Sequence, residues 1–322
     1  MRPVPGRAAT AFAPATISNV AVGFDILGFP LESVGDVVTV STTASASIQI
    51  KEILDDTGSG ELDIPFDPAR NTATVGLIKL RDDLQLDFGF DVTIRKGIAL
   101  GSGMGGSAAS AVGALVAANS LLEKPLAKEA LLEYALLGEQ VASGTAHPDN
   151  IAPCLFGGMT LVLSLEPVRY VTLPVPANIL TVLVHPRLRV DTKSARSILR
   201  PTVPLGDYVR QSAHLAGFIA GCFKGDIDLI RHSLTDLVIE PQRAPLIPGF
   251  AEVKAAAMRQ GAIGASISGS GPSVFAWVEA ADSNDAAARV RDAMVEAFRE
   301  HGQTEVDSWI SPISPQGANL NS

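Results

Sequence analysis

A glycine-rich stretch, Lys96–Ser107 (KGIALGSGMGGS), is the part of the sequence best suited to bind a ligand. Five of its last eleven residues are glycine, and glycine permits positive φ angles that bring backbone N–H groups close to a ligand. A long apolar helical pattern, Ala108 to Leu122, follows. Because a helix N-terminus adds aligned amides and a partial positive charge, we expect this stretch to hold an anion, most naturally a phosphate group.

Two common nucleotide-binding motifs match this stretch only in part. Gly101, Gly103 and Gly106 have the spacing of the dinucleotide fingerprint, but a second helical pattern follows where that motif needs a strand. Gly106-Ser107 is also similar to the end of a P-loop, but the lysine that would bind the β- and γ-phosphates is missing. On this stretch alone, a glycine-rich turn without a ligand stays open as the alternative.

Further polar residues interrupt apolar surroundings, where loops often carry function. Asn19 and Asp25 follow the first predicted strand, Glu139 lies near the end of a helical pattern, and His147-Pro148-Asp149-Asn150 comes shortly after it. An acidic residue near a helix C-terminus is unfavourable to the helix dipole, which makes Glu139 a functional candidate. The alternatives are capped loops, a solvated helix face and a turn before a strand.

The elements that must position these residues are strands and helices in mixed order. Alternation predicts strands at Arg7–Ala15, Val37–Ser41 and Ser47–Ile53, the last two as a hairpin or meander, and periodicity predicts a helix at Lys128–Ser143. Asn71 is a predicted helix N-cap. Prolines at 167, 174 and 176 predict a division into domains 1–166 and 167–322.

The composition limits the class of protein. With 322 residues, 47% of them hydrophobic and 18% charged, the chain is typical of a globular protein with two domains. A net charge of −9 without a long basic run predicts no nucleic-acid partner and no membrane partner. Only two cysteines occur, without metal spacing, and no apolar span or signal peptide is evident, so we expect a cytoplasmic protein.

The glycine-rich stretch resembles the phosphate loop of the GHMP kinases (galacto-, homoserine, mevalonate and phosphomevalonate kinases), usually P-x3-G-L-G-S-S-A. Ala99, Met104 and Gly106 replace the usual Pro, Leu and first Ser. Residues 13–28 resemble the homoserine kinase family motif APAT-S-x-N-x-G-x-G-F-D-x-L-G, with Ala21 in place of a glycine. Residues 138–153 resemble G-E-x(7)-H-x-D-N-x-A-P, and residues 264–274 resemble G-A-x-x-S-G-S-G-P-S/T. The resemblance covers about residues 13 to 315.

This resemblance implies an α+β fold with a ribosomal-S5-like N-terminal domain, a ferredoxin-like C-terminal domain and an active site in the cleft between them. It implies that ATP and Mg²⁺ are used to phosphorylate L-homoserine, a step in threonine biosynthesis, and it leaves a homodimer open. The implied ATP-binding residues are Asn71, Ala99, Leu100, Gly101, Ser102, Gly103, Met104, Gly105, Gly106, Ser107, Ala108 and Ala109. The implied substrate-binding residues are Asn19, Asp25, His147, Thr192, Arg196, Arg243 and Gly269. The implied catalytic residues are Lys96, Glu139 and Asn150, and the implied metal ligands are Ser107 and Glu139.

The chemistry of an amino-acid substrate suggests the individual roles. Arg196 and Arg243 would bind the carboxylate through their fork of donors, and Asp25 with Asn19 would take the ammonium group. Related kinases place an Asp base where this sequence has Asn150, so we expect direct attack by the oriented hydroxyl group, with Asp25 as base the variant. Asp149 is adjacent, but a shift of one residue is expected to turn its side chain elsewhere.

Three rival functions stay open. Another small-alcohol kinase of the superfamily would have no need of two carboxylate-binding arginines. A non-catalytic nucleotide-binding protein would not need both Ser107 and Glu139. An NAD-dependent oxidoreductase is disfavoured by the missing strand.

Overall fold

Strands and helices occur in mixed order along the chain and form two sheets that are covered by helices. The structure, a computed structural model, describes residues 6–60, 62–144, 147–280 and 285–321. The strands are β1 (Ala8–Ser18), β2 (Leu27–Thr43), β3 (Ile48–Asp55), β4 (Gly89–Lys96), β5 (Met159–Leu165), β6 (Val168–Leu173), β7 (Ile179–Pro186), β8 (Gly264–Ile267), β9 (Val274–Glu279), β10 (Val306–Pro312) and β11 (Asn319–Leu320). The helices are α1 (Thr72–Asp83), α2 (Gly106–Leu121), α3 (Lys128–Ser143), α4 (Pro148–Phe156), α5 (Thr192–Ser197), α6 (Leu205–Lys224), α7 (Ile227–Ser233), α8 (Glu240–Arg243), α9 (Phe250–Arg259) and α10 (Asp285–Glu300). Across the described ranges, none of these helices combines the length and hydrophobicity needed to cross a bilayer.

The first sheet has the strand order β11-β1-β2-β4-β3, with β5 added to β2 and β6 to β5. β4 lies between β2 and β3 and runs parallel to β3. The predicted hairpin or meander of the strands near residues 37–41 and 47–53 is therefore wrong. A parallel pair needs a crossover, and α1 provides it between β3 and β4. Alternation in the sequence predicts the strands but not their partners.

The second sheet has the antiparallel order β10-β7-β9-β8, and α9 and α10 cover it. The chain does not change sheets at residue 166, because β6 continues the first sheet to Leu173 as the partner of β5. The C-terminal strand β11 also returns to the first sheet, where it pairs with β1. The first sheet therefore extends past residue 166 and includes β11, while the division into residues 1–166 and 167–322 stays a prediction.

Aromatic side chains join the two sheets into one hydrophobic core. The ring of Phe29, from β2, lies 6.2 Å from the ring of Phe275 and 5.8 Å from that of Trp277, both from β9. Phe218 of α6 packs on the same tryptophan at 5.6 Å. All four side chains are fully buried. The sheets are thus held in a fixed relation on either side of the cleft described next.

Candidate active site

A cavity of about 650 Å³ lies between the two sheets, and both glycine-rich loops reach its wall. Its charged lining residues are Asp25, Asp63, Arg70, Lys96, Glu139, Asp149, Arg189, Asp191, Arg196 and Arg243. The cavity brings together the predicted site residues from both halves of the chain, with two exceptions. Met104 and Ala109 are buried outside the lining, 1% and 0% exposed, because their side chains belong to the core beneath the loop.

The first glycine-rich loop wraps the cavity with alternating left-handed residues. Gly101, Gly103 and Gly105 have φ values of 64°, 75° and 70°. A Cβ atom at Gly103 would lie 2.4 Å from the carbonyl oxygen of Ser268, and one at Gly105 would lie 2.1 Å from Thr16 Oγ1. Only glycine fits there. Gly105 is the N-cap of α2, whose first residues line the cavity, so a helix N-terminus opens onto it as predicted for an anion site.

Lys96 reaches the cavity wall, but its ammonium group is bound by residues that support the loop. The side chain is 2% exposed, ion-paired with Asp36, and donates to the carbonyl oxygen of Gly106 at 3.0 Å and to Ser110 Oγ at 2.9 Å. An ammonium group has three donors, and all three are used. In this structure Lys96, one of the implied catalytic residues, therefore has all three donors bound by the protein itself.

Asn71 is the N-cap of α1, as predicted, and both the oxygen and the nitrogen of its side-chain amide form hydrogen bonds. Its oxygen accepts from the backbone N–H of Ala73 at 2.9 Å, and its nitrogen donates to the carbonyl oxygen of Pro65 at 2.7 Å. The residue lines the cavity but is only 1% exposed. Its two hydrogen bonds hold the segment before α1 against the cavity wall.

The loop that precedes β2 is held in an unusual backbone conformation. Asn19, Val20, Ala21 and Asp25 all have positive φ, which is costly for residues other than glycine and typical of functional sites. The side chain of Asn19 stabilises the loop: its oxygen accepts from the N–H of Asp25 at 3.0 Å, and its nitrogen donates to the carbonyl oxygen of Gly269 at 2.9 Å. Asp25 is thereby directed into the cavity.

In the cavity, Asp25 contacts the cationic side chain of Arg196 and the neutral side chain of His147. Arg196 Nη2 lies 2.7 Å from Asp25 Oδ1 and Nη1 lies 3.0 Å from Oδ2, while His147 Nδ1 lies 3.4 Å from Oδ2. Burial lowers the pKa of His147, and the neighbouring arginines lower it further, although Asp25 opposes them. Among the residues that the structure describes, the buried atoms His147 Nε2 and Arg196 Nε have no hydrogen-bond partner. Two unpartnered polar atoms beside a cavity are typical of a ligand site.

Arg243 is the most buried arginine of the cavity wall, with 2% of its surface exposed. Its Nη1 donates to the carbonyl oxygen of Gly269 at 2.9 Å and its Nε to that of Ala195 at 3.3 Å. Among the described residues it forms no ion pair. Burial and the nearby Arg196 lower its pKa, in that order. A buried guanidinium group without a carboxylate partner favours the binding of an anion.

Asn150 and Asp149 both line the cavity from the first turn of α4. Asn150 accepts a hydrogen bond from Thr16 Oγ1 at 2.7 Å and donates to Ser18 Oγ at 3.1 Å, which fixes its amide. The expectation that Asp149 turns away was wrong, because it shares the wall with its neighbour. Burial, reinforced by Asp25 and Glu139, raises the pKa of Asp149 to about 7. The sequence did not identify the carboxyl group of Asp149 as part of the site, because the burial of a side chain cannot be inferred from the residue type alone.

Ser107 and Glu139 lie on the same cavity wall, at the start of α2 and near the end of α3. Within the described part of the chain, no cluster of three metal-ligating side chains occurs. One carboxylate and one hydroxyl beside a phosphate site are nevertheless the kind of donor set that Mg²⁺ uses, because it keeps several waters and shares oxygens with the nucleotide. The two residues therefore fit a magnesium ion bound together with phosphates.

Arg189 is a second site residue that sequence reasoning missed. It follows β7, and its side chain packs over Gly101, where an added Cβ would lie 2.4 Å from Arg189 Cγ. The N–H of Val190 donates to the carbonyl oxygen of Gly101 at 3.0 Å, which ties this segment to the glycine loop. Arg189 makes no ion pair or hydrogen bond with any described side chain. The available signal was a basic residue two positions before Asp191, the N-cap of α5.

Comparison with known proteins agrees with this geometry. The GHMP kinase N-terminal domain model matches residues 71–158, and the GHMP kinase C-terminal model matches residues 218–300. The chain is 48% identical over 312 residues to a homoserine kinase from Xylella fastidiosa (strain 9a5c), covering 97% of this chain and 94% of that protein. It is 48% identical over 314 residues to a homoserine kinase from Xanthomonas campestris pv. campestris (strain B100), covering 98% and 94%.

A solved structure gives the same result in three dimensions. The crystal structure of homoserine kinase from Cytophaga hutchinsonii superposes with a TM-score of 0.92 at 39% identity, covering 98% of this chain and 97% of that one. The two sheets and their cleft thus form the two-domain GHMP kinase fold, and the protein is a kinase of that class. Within the class, the chain belongs to the homoserine kinase family. Membership of a kinase family implies ATP as phosphoryl donor.

Proposed function

We propose that this protein transfers the γ-phosphoryl group of ATP to the hydroxyl group of L-homoserine and forms O-phospho-L-homoserine, a step in threonine biosynthesis. The observation that carries the proposal is the charge pattern at one end of the cavity. Arg243 is buried there without a carboxylate partner among the described residues, and Asp25 lies on the same wall. An α-amino acid presents the complementary carboxylate and ammonium groups.

The nucleotide would occupy the end of the cavity formed by the glycine loop. The N-terminus of α2 and the loop amides would accept the phosphates, and Arg189 would add a positive charge from the second sheet. Ser107 and Glu139 would hold Mg²⁺, which neutralises phosphate charge when bound. The segment before α1, held by Asn71, would border the base.

The amino-acid substrate would occupy the end formed by the loop before β2 and by α5. Arg243 would bind the carboxylate, and the unpartnered Arg196 Nε would be a further donor. Asp25 would take the ammonium group. Asn150, fixed by Thr16 and Ser18, would orient the hydroxyl group with the neutral His147 nearby. Thr192 and Gly269 would complete this end of the cavity.

The transfer itself relies on positioning and charge neutralisation. The hydroxyl oxygen forms a bond to the γ-phosphorus while the bond from that phosphorus to the ADP oxygen breaks. The hydroxyl proton passes to an oxygen of the transferred phosphoryl group. Asp25 is the less favoured base because Arg196 binds both of its oxygens.

The test is ADP release in the presence of Mg²⁺-ATP with one candidate acceptor at a time. We expect release to depend on L-homoserine and to be negligible with mevalonate, galactose or L-serine. L-Serine is the sharpest control, because it keeps both charged groups and differs in one methylene. Turnover with a sugar and none with homoserine would overturn the proposal.

A further inference from the structure

A fully buried ion pair underlies the glycine loop. Asp36, in β2, is 0% exposed and Lys96, at the end of β4, is 2% exposed, and the two are in direct contact. Ser110, in the second turn of α2, donates to Asp36 Oδ2 at 2.7 Å and accepts from Lys96 Nζ at 2.9 Å. We call these three residues the loop clamp.

The loop clamp grips the glycine loop at both of its ends. At the entrance, Asp36 Oδ1 accepts from the backbone N–H groups of Gly97 and Ile98 at 3.1 and 3.2 Å. At the exit, Lys96 donates to the carbonyl oxygen of Gly106, the first residue of α2, at 3.0 Å. The span between these anchors contains the left-handed glycines 101, 103 and 105. A flexible span of this kind holds one conformation only if its ends are fixed.

We propose that the loop clamp positions the glycine loop for nucleotide binding, and that Lys96 acts through Asp36 and Ser110 rather than by contacting phosphate. The inference rests on the proposed nucleotide site and adds three positioning residues to it. All donors of the ammonium group point to the loop's own scaffold. A direct phosphate contact would require Lys96 to release one of these three acceptors, and release of Asp36 would leave an unpaired buried charge.

The single variants of Asp36 and Lys96 can be compared with the double variant, because the three differ from one another in buried charge. Removing one partner of a buried pair leaves an uncompensated charge, whereas removing both charges is much better tolerated. Asp36→Asn keeps an acceptor for the N–H groups of Gly97 and Ile98, and Lys96→Met keeps the volume of the lysine stem. The double variant Asp36→Asn/Lys96→Met is therefore neutral and nearly isosteric. Ser110→Ala removes only one hydroxyl group and tests the clamp where the single charge variants fail to fold.

The experiment measures ADP affinity by calorimetric titration, and KM for ATP and for homoserine, on the folded full-length variants. We expect Asp36→Asn and Lys96→Met each to weaken ADP binding at least about tenfold, and the double variant to recover most of the loss. Ser110→Ala should raise the KM for ATP about 3- to 10-fold while the KM for homoserine stays unchanged. Ser120→Ala is the matched control, because its hydroxyl group donates to the carbonyl oxygen of Ala117 in the same helix and to no other described residue.

Three results would overturn the inference. If Lys96→Met and the double variant lose ADP equally and Asp36→Asn binds normally, Lys96 is a phosphate ligand. If the variants lose thermal stability but bind ADP like the unmodified protein, the pair only supports the fold. If the unmodified protein binds no ADP, the proposed nucleotide site fails and the loop clamp has nothing to position.

Discussion

Arg196 and Asp25 form a bidentate ion pair across the cleft, with nitrogen–oxygen distances of 2.7 and 3.0 Å. The chemistry of an amino-acid substrate assigned Arg196 to its carboxylate and Asp25 to its ammonium group, yet each residue is the other's partner. The pair uses both terminal nitrogens of Arg196, and Nε has no partner within the described part of the chain. Arg243, which has no such partner among the described residues, is therefore the stronger candidate for the substrate carboxylate.

Lysine substitutions at the two arginines should separate their roles. Arg243→Lys should raise the KM for homoserine at least about tenfold with little change in kcat, because a lysine replaces a planar fork by a point charge and the carboxylate is remote from the reacting atoms. Arg196→Lys should raise it less, and neither variant should alter the KM for ATP. Steady-state kinetics with homoserine and ATP varied in turn measures kcat and both KM values.

The control is Arg210→Lys, whose ion pair with Asp207 lies on the surface and is worth about 0–1 kcal/mol. An unchanged homoserine KM in Arg243→Lys would contradict the assignment of this arginine to the carboxylate.

Replacing Glu139 by glutamine should lower kcat by roughly two orders of magnitude or more. The reason is that a bound cation would no longer neutralise the phosphate charge in the transition state. The Mg²⁺ concentration needed for tight ADP binding should rise in parallel. Titration of Mg²⁺ into the protein with ADP measures this without turnover. Glu133→Gln, an exposed position on the same helix, is the control. A normal Mg²⁺ dependence would show that Glu139 is not a metal ligand.

Arg189→Ala should raise the KM for ATP about tenfold and leave the KM for homoserine unchanged, since its side chain lies over Gly101 at the nucleotide end of the cavity. Arg187→Ala is a close control, because that arginine pairs on the surface with Glu305 and Asp307. Equal effects of the two substitutions would mean that Arg189 contributes only to the general surface charge.

Asp149→Asn should stabilise the protein at high pH relative to low pH. The folded-state pKa of Asp149 is raised from 3.8 to about 7, so its contribution to stability is fully present below about pH 4 and is lost as the pH rises through 7. Each pKa unit corresponds to about 1.4 kcal/mol, so the difference amounts to a few kcal/mol. Melting temperatures of both proteins at pH 5, 6 and 8 give the trend. Asp228→Asn, which removes an exposed carboxylate, controls for the loss of one negative charge. A difference in stability that does not grow with pH would contradict the prediction.

Local patterns in the sequence were sufficient for several elements of the fold and site. The helix Lys128–Ser143 has the predicted bounds, because its apolar residues recur on one face and a glycine follows it. The predicted opening of a helix onto the glycine loop was also correct. These features depend on residues close together in the chain.

Features that depend on distant residues were not predictable in the same way. Lys96 next to a glycine loop has the same sequence whether it binds phosphate or Asp36, which lies 60 positions away. The partner of β3 and the return of β11 likewise follow from tertiary packing. Arg189 and Asp149 become site residues only through the shape of the cleft.

The return of β11 to the first sheet means that the chain passes between the two sheets twice, after Leu173 and again after Pro312. A relative movement of the two halves must therefore bend both of these connections and shift the contact of Phe29 with Phe275. For the same reason, a fragment cut at these connections would lose part of the core that both sheets share, whereas the core between the second sheet, α9 and α10 consists of residues from the second half alone.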